Sequence, residues 1–209
     1  MTKNINQQVW NIIQGDASIQ KNIGRKLINI RALAKYILKT YDLKASLDAV
    51  ISSIRRFDID SKYKKEESSV LSVFKDSVIQ TKNKICSVTL AKESINYLQD
   101  ILKHNFDTMR IITGTKTFKI ITEQSNLEDI KSIFPNKDML FIDKDLSELS
   151  IIVNEKALMT KGVMARITSE IALHEINLHD FIVCLPELII LIKQNDIIKT
   201  HESIISLYK

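Results

Sequence analysis

The stretch best suited to hold a small anion is Ala157-Leu158-Met159-Thr160-Lys161-Gly162-Val163-Met164. It joins a strand-like run, Ser150 to Val153, to a helix-like run ending at Glu175. A loop that feeds a helix offers unbonded backbone N–H groups at the positive end of the helix dipole, where a carboxylate is stabilised. Gly162 permits close approach of a ligand to the backbone, and Lys161 adds a cation. Asp180, just inside the next strand-like run, is a receptor for an ammonium group. Other chemistries find no support. His174 and His179 are five residues apart with no third ligand at metal spacing, and His104 and His201 stand alone. No nucleophile elbow, phosphate loop, His-Glu-x-x-His or Cys-x-x-Cys pattern occurs. The carboxylates are scattered, so neither catalytic residues nor a metal or cofactor are expected.

A second constellation is basic. Residues 1–83 carry 15 Lys/Arg against 8 Asp/Glu, whereas 84–209 carry 15 against 17. That asymmetry suits a nucleic-acid-touching segment joined to a near-neutral partner, or lysines that keep a small helical domain soluble. Arg31, Lys35, Lys44, Arg55 and Arg56 are the candidate phosphate contacts. No apolar run has the length of a membrane span, and Cys86 and Cys184 sit in strand-like runs with no redox or metal spacing. These features predict a cytoplasmic protein with reduced cysteines.

The elements that must position these residues fall into three segments. Residues 1–76 read as helical. Val9, Trp10, Ile12 and Ile13 form an amphipathic piece stopped by Gly15, and Asp16 caps a helix over 17–23 stopped by Gly24. Leu27, Ile30, Leu33, Ala34 and Ile37 recur at helical spacing, and Ser46 caps a helix bearing Leu47, Val50, Ile51 and Ile54. The helices 29–39 and 46–57 read either as a helix-turn-helix, the second as the recognition element, or as a helical domain that pairs with another copy or docks on a partner protein. Against the former, Arg55 and Arg56 lie at the C-terminal end of the second helix, and Ser46 and Asp48 at its start are poor phosphate binders. Asp58 to Glu67 reads as a linker, followed by a short helix near 68–76.

Residues 77–145 read as βαββαβ: strand 85–90, helix 92–104, strands 109–113 and 118–122 around Gly114, helix 127–134 stopped by Pro135, and strand 139–142. Residues 146–209 repeat the order with strand 148–153, helix 162–175, strands 178–184 and 188–193, and helix 196–207, the last strand missing. The fold class is α+β, a small all-α domain followed by two ferredoxin-like modules.

The stretch Met159 to Ala165, Ile176-Asn-Leu-His-Asp180 and Glu187 to Ile192 resembles the ACT domains of the aspartokinase regulatory region. Leu27 to Ala34 and Asp48 to Phe57 are similar to archaeal proteins that join a small helical domain to ACT-like repeats. The resemblance implies binding of an amino acid or similar metabolite where two modules pair. Met159, Thr160, Lys161, Gly162, Val163 and Met164 would line the carboxylate end, and Asn177 and Asp180 the amino end. The first copy has Ala91-Lys-Glu-Ser94 where the second has its glycine, and Glu93 would repel a carboxylate. The expected protein is a non-enzymatic homodimeric regulator in which an amino acid or similar ligand between paired modules alters the dimer arrangement, with duplex DNA contacted by the N-terminal helices as one candidate output. The alternatives are a regulatory subunit that docks on a metabolic enzyme, or a ligand-free dimerisation scaffold.

Overall fold

Four short helices at the N-terminus begin where a polar side chain caps unbonded N–H groups. Asn4 opens α1 (Ile5–Gly15), Asp16 opens α2 (Ala17–Gly24), Asn29 opens α3 (Ile30–Thr40) and Ser46 opens α4 (Leu47–Arg55). Each cap accepts one or two backbone N–H bonds, an arrangement worth about 1 kcal/mol per helix. Their apolar stripes meet in one core containing Val9, Ile13, Leu33, Ala34, Ile37, Val50 and Ile54. Trp10 closes its edge, donating Nε1–H to the Ser53 carbonyl at 3.0 Å and meeting Phe57 with ring centroids 6.3 Å apart.

The computed structural model describes residues 4–57, 68–104, 106 and 108–208, without the side chains of Leu158 and Tyr208. The chain divides into two compact units, Met1–Ser69 and Val70–Lys209. The expected linker, 58–67, lies outside the described residues. The expected boundary at 76 moves: a helix over 68–74 (α5) places Val70, Val73 and Phe74 against the α/β core.

The α/β unit holds one six-stranded antiparallel sheet in the order β2-β3-β1-β4-β6-β5. In chain order, β1 (Val78–Ala91) leads through a 3₁₀ turn (Lys92–Tyr97) and α6 (Leu98–Ile101) to the hairpin β2 (Met109–Thr113) and β3 (Thr117–Glu123). There follow α7 (Leu127–Ile133), β4 (Met139–Ile152), α8 (Lys156–Met159) and α9 (Val163–Leu173). The hairpin β5 (Leu178–Cys184) and β6 (Glu187–Lys193), then α10 (Ile197–Ile205), complete the unit.

Two expectations are corrected here. The strands expected at 139–142 and 148–153 are one 14-residue strand, β4, so no break between units falls at 145. The strand expected at 85–90 begins at Val78. Val78–Lys82 pairs with Glu148–Ile152 and so supplies the fourth strand expected to be missing from the second half. Each half of the sheet therefore has the same order, β2-β3-β1-β4 in one and β5-β6-β4-β1 in the other. Both long strands bend at equivalent points, where Lys84 (φ 56°) and Asp145 (φ 55°) adopt left-handed backbone and the register shifts. The Gln124 side chain accepts the Asp145 N–H at 3.0 Å, tying one bend to the 3₁₀ turn that follows β3.

Strand alternation sends Cys86, Val88, Leu90, Phe118 and Ile120 into one helix-covered core, and Leu149, Ile151, Leu188, Ile190 and Ile192 into the other. The intervening residues point away from the helices. There Ile85, Ile121, Leu146 and Leu191 form a separate cluster with Ile182. Ion pairs surround it: Arg110 with Glu148, and Lys119 with Asp180.

Candidate ligand loop and basic helical surface

The loop after β4 is built by its own short-range bonds. Val153 N–H donates to the Pro186 carbonyl at 2.9 Å, anchoring the loop to the β5–β6 turn, which contains a cis Leu185–Pro186 bond. Asn154 accepts from the backbone of Lys156 and Ala157, which starts the single turn α8. Thr160 donates its hydroxyl to the Lys156 carbonyl at 2.8 Å. Gly162 then takes φ +88°, a backbone that L-residues rarely adopt, and turns the chain into α9. No side chain caps α9, so its first-turn N–H groups have no side-chain acceptor among the described residues.

Lys161 and Gly162 are exposed, and Met159 is 87% exposed, an unusual position for a large apolar side chain. Val163 is buried and Met164 packs against the core. A Cβ at position 162 would stand 3.9 Å from Val70 Cγ2, so α5 flanks this loop.

The amino-end residues lie elsewhere. Ile152 and Cys184 both stand opposite Glu187, whereas Leu178 stands opposite Ile192. Five residues of β6 separate those levels, about 17 Å at strand rise, so Asn177 and Asp180 occupy the opposite end of the sheet from the loop. Asp180 is also engaged: both its oxygens are 2.8 Å from Lys119 Nζ, and His179 Nδ1 lies 2.9 Å from it. His179 Nε2 reaches Asp143 at 3.0 Å. Within one chain the two ends of the expected pocket are not brought together.

In the first half, Ser94 is buried and donates to Asp138 at 2.6 Å, closing the turn that corresponds to the loop after β4. The helix expected over 92–104 shortens to a 3₁₀ turn and α6. A hollow of about 680 Å³ opens at the strand bends, lined by Lys82, Lys84, Glu123, Gln124 and Asp145 among others. Its charges are of both signs, and the left-handed Lys84 and Asp145 that form it give no periodic signal in the sequence.

On the helical unit, Arg31 and Lys35 are exposed on α3, Lys44 is exposed in the connection, and Arg55 and Arg56 are exposed at the end of α4. Lys39 continues the Arg31–Lys35 stripe, a spacing of four that was legible in the sequence. Among the described residues, no group of three His, Cys, Asp or Glu could hold a metal, and no helix is long and apolar enough to cross a membrane.

No protein-family model matches this chain, and no curated protein matches it. Solved structures do. The aspartate kinase of Clostridium acetobutylicum, an allosteric enzyme, is similar over 62% of this chain with 16% identity and a TM-score of 0.51; the match spans 34% of the kinase. The regulatory subunit of aspartate kinase from Thermus thermophilus, in its ligand-free form, matches over 63% of this chain and 98% of its own, with 9% identity and a TM-score of 0.51. A structure of aspartokinase alpha and beta subunits matches over 62% of this chain and 96% of its own, at 14% identity and a TM-score of 0.53. At these identities the likeness is one of fold: a mixed α+β architecture shared with aspartate kinase regulatory chains.

Proposed function

We propose that this chain is a non-enzymatic regulator that binds a small zwitterion, an amino acid or close analogue, between two copies of its α/β unit. The observation that carries this reading is the fold, shared with a regulatory subunit over 98% of that subunit's length. The loop supports it locally. Uncapped N–H groups at α9, the left-handed Gly162 and exposed Lys161 suit a carboxylate. Because Asn177 and Asp180 stand at the far end of the same sheet, a second copy in antiparallel contact supplies the amino-end groups. For Asp180 to take part, the ligand ammonium replaces Lys119 as its partner. The output is duplex DNA, contacted through the basic helical unit. A ligand shifts the assembly only by its difference in affinity between the two arrangements.

A thermal-shift screen of the amino acids on the full chain tests this. A ligand at 100 times its dissociation constant adds about 2.7 kcal/mol of stability. The shift is expected to vanish in a Gly162→Val, Lys161→Glu variant, and no shift with any amino acid would reject the reading. A second reading, dimerisation scaffold or docking subunit for a metabolic enzyme, is favoured by Leu140, Phe141 and Ile142. These are exposed on the part of β4 that, among the described residues, pairs with β1 alone.

A further inference from the structure

We infer that α3, and not α4, is the helix that enters the DNA groove, with α4 packed behind it as its support. This rests on the DNA output proposed above and names the surface that performs it. Buried Leu33, Ala34 and Ile37 fix which side of α3 faces the core. The opposite side presents Arg31, Lys35 and Lys39, all exposed. Their spacing of four residues sets successive cations about 6 Å apart along one stripe. Ala32 and Tyr36 run beside that stripe, both exposed, Tyr36 by 49%. The small Ala32 permits close approach, and Tyr36 adds a donor and a flat apolar face.

No acidic residue occurs anywhere in α3. Residues 4–57 contain three acids against nine Lys/Arg, and all three lie off this helix. Asp16 is occupied as the cap of α2, although it lines the groove that runs beside Ala32 and Tyr36. Asp42 is in the connection after α3, and Asp48 stands in the first turn of α4. A reading helix inserts its N-terminal turns into the major groove. At α4 that end carries Asp48 and the capping Ser46, while Arg55 and Arg56 lie at the far end. At α3 the same end carries Arg31, with Lys35 one turn on. With its side chains a helix is about 10–12 Å across, which matches a major groove about 12 Å wide.

The test is fluorescence anisotropy of the full chain with a mixed-sequence 30-base-pair duplex, at several salt concentrations. Arg31→Ala with Lys35→Ala is expected to weaken binding at least ten-fold and to lower the salt slope by about 1.8. Ala32→Glu is expected to weaken binding as well, by placing a carboxylate against the phosphates without removing a cation. Arg55→Ala with Arg56→Ala is expected to change affinity less than three-fold, and circular dichroism checks that every variant keeps its helices. If the Arg55/Arg56 variant loses binding while the Arg31/Lys35 variant does not, α4 is the reading helix: the inference falls and the DNA output stands. If the unmodified protein shows no salt-dependent affinity for the duplex, or prefers single-stranded RNA, the DNA output falls and the inference with it.

Discussion

Arg110 in β2 and Glu148 in β4 meet in a two-point ion pair, at 2.6 and 3.0 Å, although β3 and β1 lie between their strands. In a flat sheet three strand spacings would part them by about 14 Å, beyond the reach of the two side chains. Lys119 and Asp180 repeat the relationship from β3 to β5, across three intervening strands. The sheet must therefore coil, bringing its helix-free face around the Ile85, Ile121, Leu146 and Leu191 cluster. The left-handed bends at Lys84 and Asp145 mark where the two long strands turn.

Removing Arg110 leaves Glu148, whose side chain is 8% exposed, with Ser150 as its remaining donor among the described residues. Arg110→Ala is expected to destabilise the α/β unit by about 3 kcal/mol, because a buried charge loses its partner. Arg110→Met with Glu148→Leu should recover most of that loss. Urea unfolding measures both, and a single-variant loss under about 0.5 kcal/mol would show that the pair does not clamp the sheet.

Gly162 is held at φ +88°, yet the space around its missing Cβ is open apart from Val70 at 3.9 Å. Gly162→Ala therefore costs backbone strain and not a clash, about 1–2 kcal/mol. Gly162→Asn should cost less, since Asn tolerates left-handed backbone. Thermal melting of the two variants checks the order.

Burial pushes the Cys86 thiol from 9.0 up to about 11, a shift that Lys144 partly opposes. Between those values the unfolded chain releases its proton and the folded chain keeps it, so stability falls as pH rises from 9 to 11. Cys86→Ala should remove part of that fall in urea melts taken across this range. At pH 8 a thiol reagent should modify exposed Cys184 rapidly and buried Cys86 only on unfolding.

Asn29 accepts from both the Arg31 and Ala32 N–H groups at the start of α3. Asn29→Ala should cost the helical unit about 1 kcal/mol, and Asn29→Asp should be nearly neutral. Hydrogen exchange at Arg31 and Ala32 reports the lost cap directly.

By itself the sequence determined what depends on neighbours a few residues away. Asp16 and Ser46 announced two helix starts, and the period of Leu33, Ala34 and Ile37 announced the buried face of α3. Gly114 announced the β2–β3 hairpin, where its N–H bonds to the Thr117 carbonyl. Gly162 was legible as a special backbone position. The tertiary structure decided which strands lie side by side. Lys82-Asn83-Lys84 and Asp143-Lys144-Asp145 look like breaks between elements, yet each is a bend inside a 14-residue strand. It also took Asp180 for Lys119 and set it at the other end of the sheet from Gly162. The reason is physical: torsional preference and amphipathic period act within a few residues, whereas strand neighbours and buried charge partners are chosen by contacts between segments distant in the chain.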